Sequence, residues 1–198
     1  MEVWASVITA LVTAIGTLGA VWYRNRLQKQ KDEHQCPIST CVEEDGELLA
    51  KIEELRERAN ADRAFIFQFH NGGEFYTGKS MQKMSLSYEV VSKGIARILP
   101  ARQSLPVSAC NSTLKPLFED RRYFCYNVDK DYPESLCKFY LTEAGTKSTY
   151  MWAIFDLNKK AIGLFGLDYV KTKKKISEED LDSIQLNVIK MPGYLEQK

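Results

Sequence analysis

The segment from Ala64 to Gly73, with the sequence AFIFQFHNGG, constrains the fold of this chain more than any other. Aromatic and aliphatic β-formers lead into His70, Asn71 and a glycine pair, a pattern typical of a strand that runs into a turn. Because successive side chains of a strand alternate between faces, apolar residues here point to both sides of a sheet. We therefore predict a central strand that is covered on both faces.

The same alternation places Phe65, Phe67 and Phe69 on one face of this strand, and Ile66 and Gln68 on the other. If the first and last helices of the domain cover the aromatic face, Phe67 is fully buried beneath them.

Composition restricts the class of protein. Hydrophobic residues make up 44% and charged residues 27% of 198 residues, which is the profile of a folded chain with one core of ordinary size. The net charge of +1 leaves no broad basic field, so nucleic acid is not expected as a partner. Five cysteines, an odd number without framework spacing, argue against a disulfide-stapled secreted domain.

The segment from Val3 to Tyr23 contains no charged residue. As a helix of 21 residues rising ~1.5 Å each, it is about 31 Å long, the thickness of a bilayer core. A buried core helix or a cleaved signal peptide are the alternatives, but a signal peptide begins with basic residues and this chain offers only Glu2. We predict a single transmembrane anchor over residues 3–23.

The charges that flank this segment predict its orientation. Glu2 is the one charged residue that precedes the segment. Four basic residues follow it, namely Arg24, Arg26, Lys29 and Lys31. The positive-inside rule then places the C-terminal domain in the cytoplasm, anchored in the inner or plasma membrane. In that reducing compartment the cysteines are expected to be thiols.

Residues 24–45 are predicted to extend the membrane helix and then to form a linker. His34, Cys36 and Cys41 in this linker suggest zinc, but no fourth ligand is near, because the other histidine, His70, lies in the core strand. We therefore predict linker cysteines and no metal site. Pairing of Cys36 and Cys41 across a homodimer is a further alternative.

The remaining chain reads as helices and strands in the order α-β-β-α-β-α-β-β-α, an α+β domain with a central antiparallel sheet and helices on its faces. The predicted helices cover 45–59, part of 107–118 with Asn111 or Ser112 as cap, 134–144, and a last helix capped by Ser177 and ended by Pro192. In the first of these, apolar residues recur every three or four positions and form one stripe: Leu48, Ile52, Leu55 and Ala59. The predicted strands cover 64–73, 84–91, 122–128, 148–156 and 161–169, and residues 157–160 are predicted to join the last two strands as a hairpin.

The order closes with AIGLFGLDY at Ala161–Tyr169 and ISEEDL at Ile176–Leu181. These motifs, with TKSTYM at Thr146–Met151, resemble the GAF domain family of small-molecule sensors over about residues 46–195. The resemblance implies a GAF-like fold and small-ligand sensing. Signatures for chromophore attachment and for cyclic-nucleotide binding are not evident. These 198 residues also hold no output domain, so we expect action through a partner protein, with a homodimer possible.

The mouth of the first strand is the predicted ligand site, because glycines there allow close approach of the backbone. The predicted site residues are His70, Asn71, Gly72, Gly73, Tyr76, Met84 and Tyr88. A simpler alternative is a turn in which Asn71 bonds its own backbone, with the tyrosines and methionine as plain core. The ligand and any cofactor are unspecified by the sequence.

No catalytic residues are assigned, because no Ser/His/Asp arrangement, paired metal spacing or Walker-type loop is present. A minor alternative is a cysteine-dependent enzyme, since free methionine sulfoxide reductases have a GAF-like fold and Cys110, Cys125 and Cys137 lie in the comparable region. Their glycine-flanked cysteine motif is missing here. A third class is a structural protein that uses the fold as a docking surface in a membrane or viral assembly.

Overall fold

The computed structural model describes residues 16–26 and 38–196, without the side chains of residues 38–41. The chain divides into two units, residues 1–43 with 197–198, and residues 44–196. In the first unit, residues 16–26 form helix α1. Among the described residues no helix is long and apolar enough to span a bilayer. Residues 3–15 of the predicted anchor, and Cys36 of the linker, lie outside the described residues.

The second unit is built on a six-stranded sheet in which every neighbouring pair is antiparallel. The strands are β1 (Arg63–Glu74), β2 (Ser80–Val91), β3 (Leu105–Pro106), β4 (Arg122–Cys125), β5 (Ser148–Phe155) and β6 (Ala161–Tyr169), in the order β3-β2-β1-β6-β5-β4. The prediction that β1 is a central strand is confirmed, since it pairs with β2 on one side and with β6 on the other.

Helices cover both faces of this sheet. They are α2 (Ile38–Ala59), α3 (Asn111–Asp120), α4 (Val128–Asp131), α5 (Leu136–Glu143), α6 (Glu178–Val188) and α7 (Pro192–Leu195), with 3-10 turns at Leu99–Ala101 and Val107–Cys110. One buried cluster joins α2 and α6 to Ile66, Trp152 and Phe165 of the sheet. A second cluster joins α3 and α5 to Phe65 and Leu164. The sheet therefore separates an α2/α6 core from an α3/α5 core.

Several predictions that rest on local signals are confirmed. Leu48, Ile52 and Leu55 form the buried stripe of α2, as the helical period indicated. Ser177 caps α6, where its hydroxyl accepts a hydrogen bond from the Asp180 amide at 3.2 Å. The β5–β6 hairpin forms where predicted, and Lys159 adopts a left-handed φ of 62° in its turn.

The glycine-rich pattern of β6 has a packing cause. Phe65 of β1 lies directly over Gly166, its partner across the strands. A Cβ atom built at residue 166 would lie 2.2 Å from the Phe65 ring, far inside contact distance. Glycine at this position therefore leaves the space that the Phe65 ring occupies.

The condition that the first and last helices cover the aromatic face of β1 is not met. Phe65, Phe67 and Phe69 pack in the α3/α5 core, and Phe67 is half-buried rather than fully buried. It is Ile66 that lies under α2 and α6. Strand alternation determines which side chains share a face, but which helices cover that face depends on the path of the chain between distant elements.

The other differences concern the ends of elements. Helix α2 begins earlier than predicted, at Ile38, and β2 begins at Ser80 rather than Met84. Strand β4 ends at Cys125, and residues 128–131 form the unpredicted turn of helix α4. Neither Asn111 nor Ser112 caps α3, because the helix starts at Asn111 after a 3-10 turn. Pro192 does not end α6, which stops at Val188, but begins α7.

The position of Phe165 in the α2/α6 core predicts a large loss of stability when its side chain is truncated. Phe165 is 0% exposed, and its ring centroid lies 5.8 Å from that of Trp152. We expect Phe165→Ala to lower the free energy of unfolding by about 3–5 kcal/mol, because it leaves a cavity. The matched change Phe139→Ala, at a side chain 60% exposed on α5, should cost less than about 0.5 kcal/mol. Denaturant titrations of both variants measure the difference, and equal losses would contradict this account of the core.

Candidate functional site

An apolar cavity of about 60 Å³ lies in the α3/α5 core, between the sheet and these helices. Strand residues such as Phe65, Met84 and Leu164 line one side, and Leu114 of α3 and Leu141 of α5 line the other. Its volume is several times the ~10–15 Å³ that one water molecule needs, and far below the ~300 Å³ at which drug-sized pockets begin. The cavity therefore matches a small apolar molecule.

Two methionines make the wall of the cavity adaptable. Met84 of β2 and Met151 of β5 are both buried and both line the cavity. Unbranched thioether side chains change rotamer easily and refill irregular spaces, so the cavity can adjust to an occupant.

Two polar side chains of the cavity wall, Thr113 and Tyr132, are hydrogen-bonded to each other. The Thr113 and Tyr132 hydroxyl oxygens lie 2.7 Å apart in a buried hydrogen bond. Burial raises the pKa of Tyr132, so its hydroxyl stays protonated at any physiological pH. This pair is a fixed dipole at the cavity wall rather than an acid–base group.

A buried cluster of three charges borders the cavity through Asp168. Arg63 Nη1 donates to Asp168 Oδ2 at 3.0 Å, and Arg63 Nε lies 3.2 Å from Glu89 Oε1. Burial raises the pKa of the Asp168 carboxyl, and the Arg63 guanidinium opposes that rise. Since β1, β2 and β6 each contribute one of these charges, we interpret the cluster as a structural lock.

The lock also positions part of the cavity wall. Glu89 accepts hydrogen bonds from the Ile98 amide at 2.8 Å and the Leu99 amide at 3.1 Å, and Arg63 Nη2 donates to the Ala96 carbonyl at 3.1 Å. These bonds hold the segment that brings Ile98 to the cavity.

Helix α5 forms one wall of the cavity and is attached at two places. Near its C-terminal end, the Arg102 guanidinium lies 4.4 Å from the Tyr140 ring centroid and forms a salt bridge with Glu143. In its first turn, Cys137 forms a disulfide with Cys110, the residue that precedes α3. Cys110, Cys137 and Tyr140 all line the cavity.

This disulfide corrects the prediction that the cysteines are thiols. Cys110 and Cys137 are 27 residues apart and their Cα atoms lie 5.3 Å from each other. No motif in the sequence pairs them, because their proximity arises from the packing of the 3-10 turn Val107–Cys110 against α5. Cys125 is free and buried, and burial raises the pKa of its thiol.

Of the seven predicted site residues, Met84 lines the cavity. His70, Asn71, Gly73 and Tyr76 are exposed near the tip of the β1–β2 hairpin, with Gly72 half-buried among them. Tyr88 is on the other face of the sheet, against the α2/α6 core, where its hydroxyl donates to Asp45. The structure therefore does not bring the seven residues together.

The local turn that was the simpler alternative is present at Asn71. Its side-chain oxygen accepts hydrogen bonds from the Gly73 amide at 3.1 Å and the Ser80 hydroxyl at 3.0 Å. His70 Nε2 lies 2.9 Å from the Ser85 hydroxyl. These contacts account for the polar residues of the hairpin without a ligand.

A larger pocket of about 380 Å³ lies between the β5–β6 turn and helices α6 and α7. The charged residues along it are of both signs, Arg121 and Lys159 against Asp156 and Glu196. This balance selects no ligand charge, so the cavity with the almost wholly apolar wall is the better candidate site.

No family model matches the chain, and no curated protein matches it. Several solved structures do match the chain. The chain is 16% identical to a far-red cyanobacteriochrome photoreceptor, with a TM-score of 0.62 over 87% of this chain and 97% of that one. For the blue-light absorbing form of the Thermosynechococcus elongatus PixJ GAF domain the identity is 12% and the TM-score 0.62, over 81% and 88%.

A third similar structure is the phycocyanobilin-bound GAF domain of a cyanobacterial phytochrome, at 17% identity and a TM-score of 0.61, over 86% of this chain and 90% of that chain. At these identities the likeness concerns the fold alone. The fold expected from the motifs at Ala161–Tyr169 and Ile176–Leu181 is confirmed: the chain has an α+β, GAF-like fold.

Proposed function

We propose that residues 44–196 form a sensor module that binds a small, predominantly apolar molecule in the cavity beside α3 and α5. The observation that carries this proposal is an apolar cavity in a GAF-like domain, with the Thr113 and Tyr132 hydroxyls of its wall already paired with each other. An empty apolar cavity costs stability because its lining atoms lack contact partners, so an occupant that restores those contacts is stabilised.

The volume limits the occupant. A cavity of about 60 Å³ is less than half of the ~150 Å³ that admits benzene in a well-studied engineered cavity. A chromophore as large as phycocyanobilin does not fit it, so the proposed ligand differs from that of the similar phytochrome domain. Displacement of Met84 and Met151 would enlarge the space for a ligand the size of a small ring.

We further propose that residues 3–23 anchor this module in a cell membrane with the domain on the cytoplasmic side, where it acts through a partner protein. The support is the uncharged run of 21 residues and the basic residues that follow it. Residues 16–23 of helix α1 belong to that run, and Leu18, Val21 and Trp22 among them are exposed.

A cysteine-dependent reductase is the second candidate, and the disulfide in the cavity wall is the observation that favours it. Two thiols at these positions could reduce a sulfoxide, with formation of the disulfide and release of water. The small cavity and the burial of Cys110, which is 1% exposed, favour the sensor.

Ligand binding is tested with the full chain carrying 13C-methyl methionine. We expect xenon and benzene to shift the NMR signals of Met84 and Met151 and to leave those of Met81 and Met191, which do not line the cavity, unchanged. Ala144→Leu adds three carbons at the cavity wall and should abolish the shifts while preserving folding. The matched change Ala50→Leu, on the exposed face of α2, should retain them.

If neither probe shifts the Met84 and Met151 signals, the sensor proposal is wrong. Equal shifts in the Ala144→Leu protein would place the binding somewhere other than this cavity.

The reductase is tested by incubating the full chain with dithiothreitol and free methionine sulfoxide. We expect no methionine beyond that formed by dithiothreitol alone, because a zwitterionic amino acid does not match a small cavity with an apolar wall. Production of methionine that is lost in Cys110→Ser would favour the reductase over the sensor.

The orientation is tested by labelling cells with a membrane-impermeant thiol reagent, followed by peptide mapping. Cys36 and Cys41 should be modified only after the cells are broken, since the basic flank places them inside. Cys125 is buried and serves as an unreactive control in both samples. Modification of Cys36 in intact cells would reverse the proposed orientation.

A further inference from the structure

The Cys110–Cys137 disulfide crosses the edge of the cavity. Cys110 ends the 3-10 turn that leads into α3, and Cys137 is the second residue of α5. Both residues line the cavity, so the bond joins two walls of the same space. Breaking this bond therefore removes a covalent link between the two walls.

Apart from this bond, α5 is weakly attached at its first turn. Leu141 is the buried residue of the helix, while Leu136 and Phe139 are exposed. The Ser135 cap and the Lys138–Glu134 salt bridge connect the helix only to adjacent residues. Arg102 holds the other end, at Tyr140 and Glu143. Segments with few buried contacts open locally at low free-energy cost.

The two sulfur atoms differ in access. Cys137 is half-buried, whereas Cys110 is fully buried. Thiol–disulfide exchange requires a thiolate to reach one sulfur atom in line with the bond that breaks. An external thiolate can therefore attack the Cys137 sulfur, with Cys110 as the leaving group.

We propose that the Cys110–Cys137 disulfide is a redox latch that controls access to the cavity, opened by a dithiol reductant. A thiolate of the dithiol attacks Cys137 Sγ, the bond between the two cysteine sulfurs breaks, and Cys110 leaves as a thiolate that takes up a proton. The second thiol of the reductant then attacks the mixed disulfide. The products are two protein thiols and one oxidised dithiol, so two electrons and two protons are transferred to the protein.

Reduction removes the covalent link at the first turn of α5 and leaves Arg102 as the attachment at its C-terminal end. The helix can then swing outward about that end, which opens the cavity wall beside Cys137 and Tyr140. This inference goes beyond the proposed sensor function, because the latch operates whether or not a ligand is present.

The access of the two sulfurs is tested with single variants of the full chain exposed to oxidised glutathione. Cys110→Ser leaves the half-buried Cys137 thiol, and Cys137→Ser leaves the buried Cys110 thiol. We expect glutathione to be added at Cys137 more than about tenfold faster than at Cys110, as measured by peptide mass spectrometry. Cys125 serves as an internal control, since it is buried in both proteins. Equal rates, or faster reaction at Cys110, would overturn the assigned direction of attack.

The opening itself is tested on the unmodified sequence, without ligand, by amide hydrogen exchange in the oxidised and the dithiothreitol-reduced protein. We expect residues 136–143 to exchange more than about tenfold faster after reduction. Residues 178–188 of α6, on the other face of the sheet, should be unchanged. No change in α5, or an equal change in both helices, would overturn the latch. Failure of the xenon and benzene shifts would instead refute the sensor and leave the latch standing.

Discussion

The arrangement of the sheet depends on one buried guanidinium. Arg63, at the start of β1, lies between Asp168 of β6 and Glu89 of β2, and all three side chains are almost wholly inaccessible to solvent. Arg63 and Asp168 are direct partners across the two strands. A slip of the register by one residue would turn Arg63 to the opposite face and leave two buried carboxylates without their cation. Loss of one partner from such a cluster costs about 3–5 kcal/mol, so the cluster strongly favours the observed register.

The two cores of the domain differ in their composition and packing. The α2/α6 core is built from aliphatic stripes and from aromatic rings in tilted and edge-on contact, which pack against the sheet. The α3/α5 core contains shorter helices, an adaptable pair of methionines and an unfilled space. The longer helices thus lie on one face of the sheet, and the cavity with its adaptable wall lies on the other. This separation is the physical basis of both the proposed sensor and the proposed latch.

The proposed cytoplasmic location restricts the role that the Cys110–Cys137 disulfide can have. Disulfides in cytosolic proteins of mesophiles are usually transient and serve catalysis or redox sensing. A permanent structural bond would be unusual in that compartment, whereas a latch that responds to reduction is consistent with it. The half-buried position of Cys137 gives the reductant access that such a role requires.

The sequence by itself determined the elements that depend on neighbouring residues. The apolar period of α2, the Ser177 cap and the β5–β6 hairpin are each specified by interactions within a few residues, and each was predicted correctly. The order of strands and helices followed from these local signals, and with it the resemblance to GAF domains.

Only the tertiary structure decided what depends on residues far apart in the chain. Alternation grouped Phe65 with Phe67, but the path of the chain decided that α3 and α5 cover them. The hairpin at His70 looked like a ligand site because its glycines and polar residues are local signals, which turn chemistry explains equally well. The cavity and the Cys110–Cys137 bond left no such trace, because residues from several elements meet there only through packing.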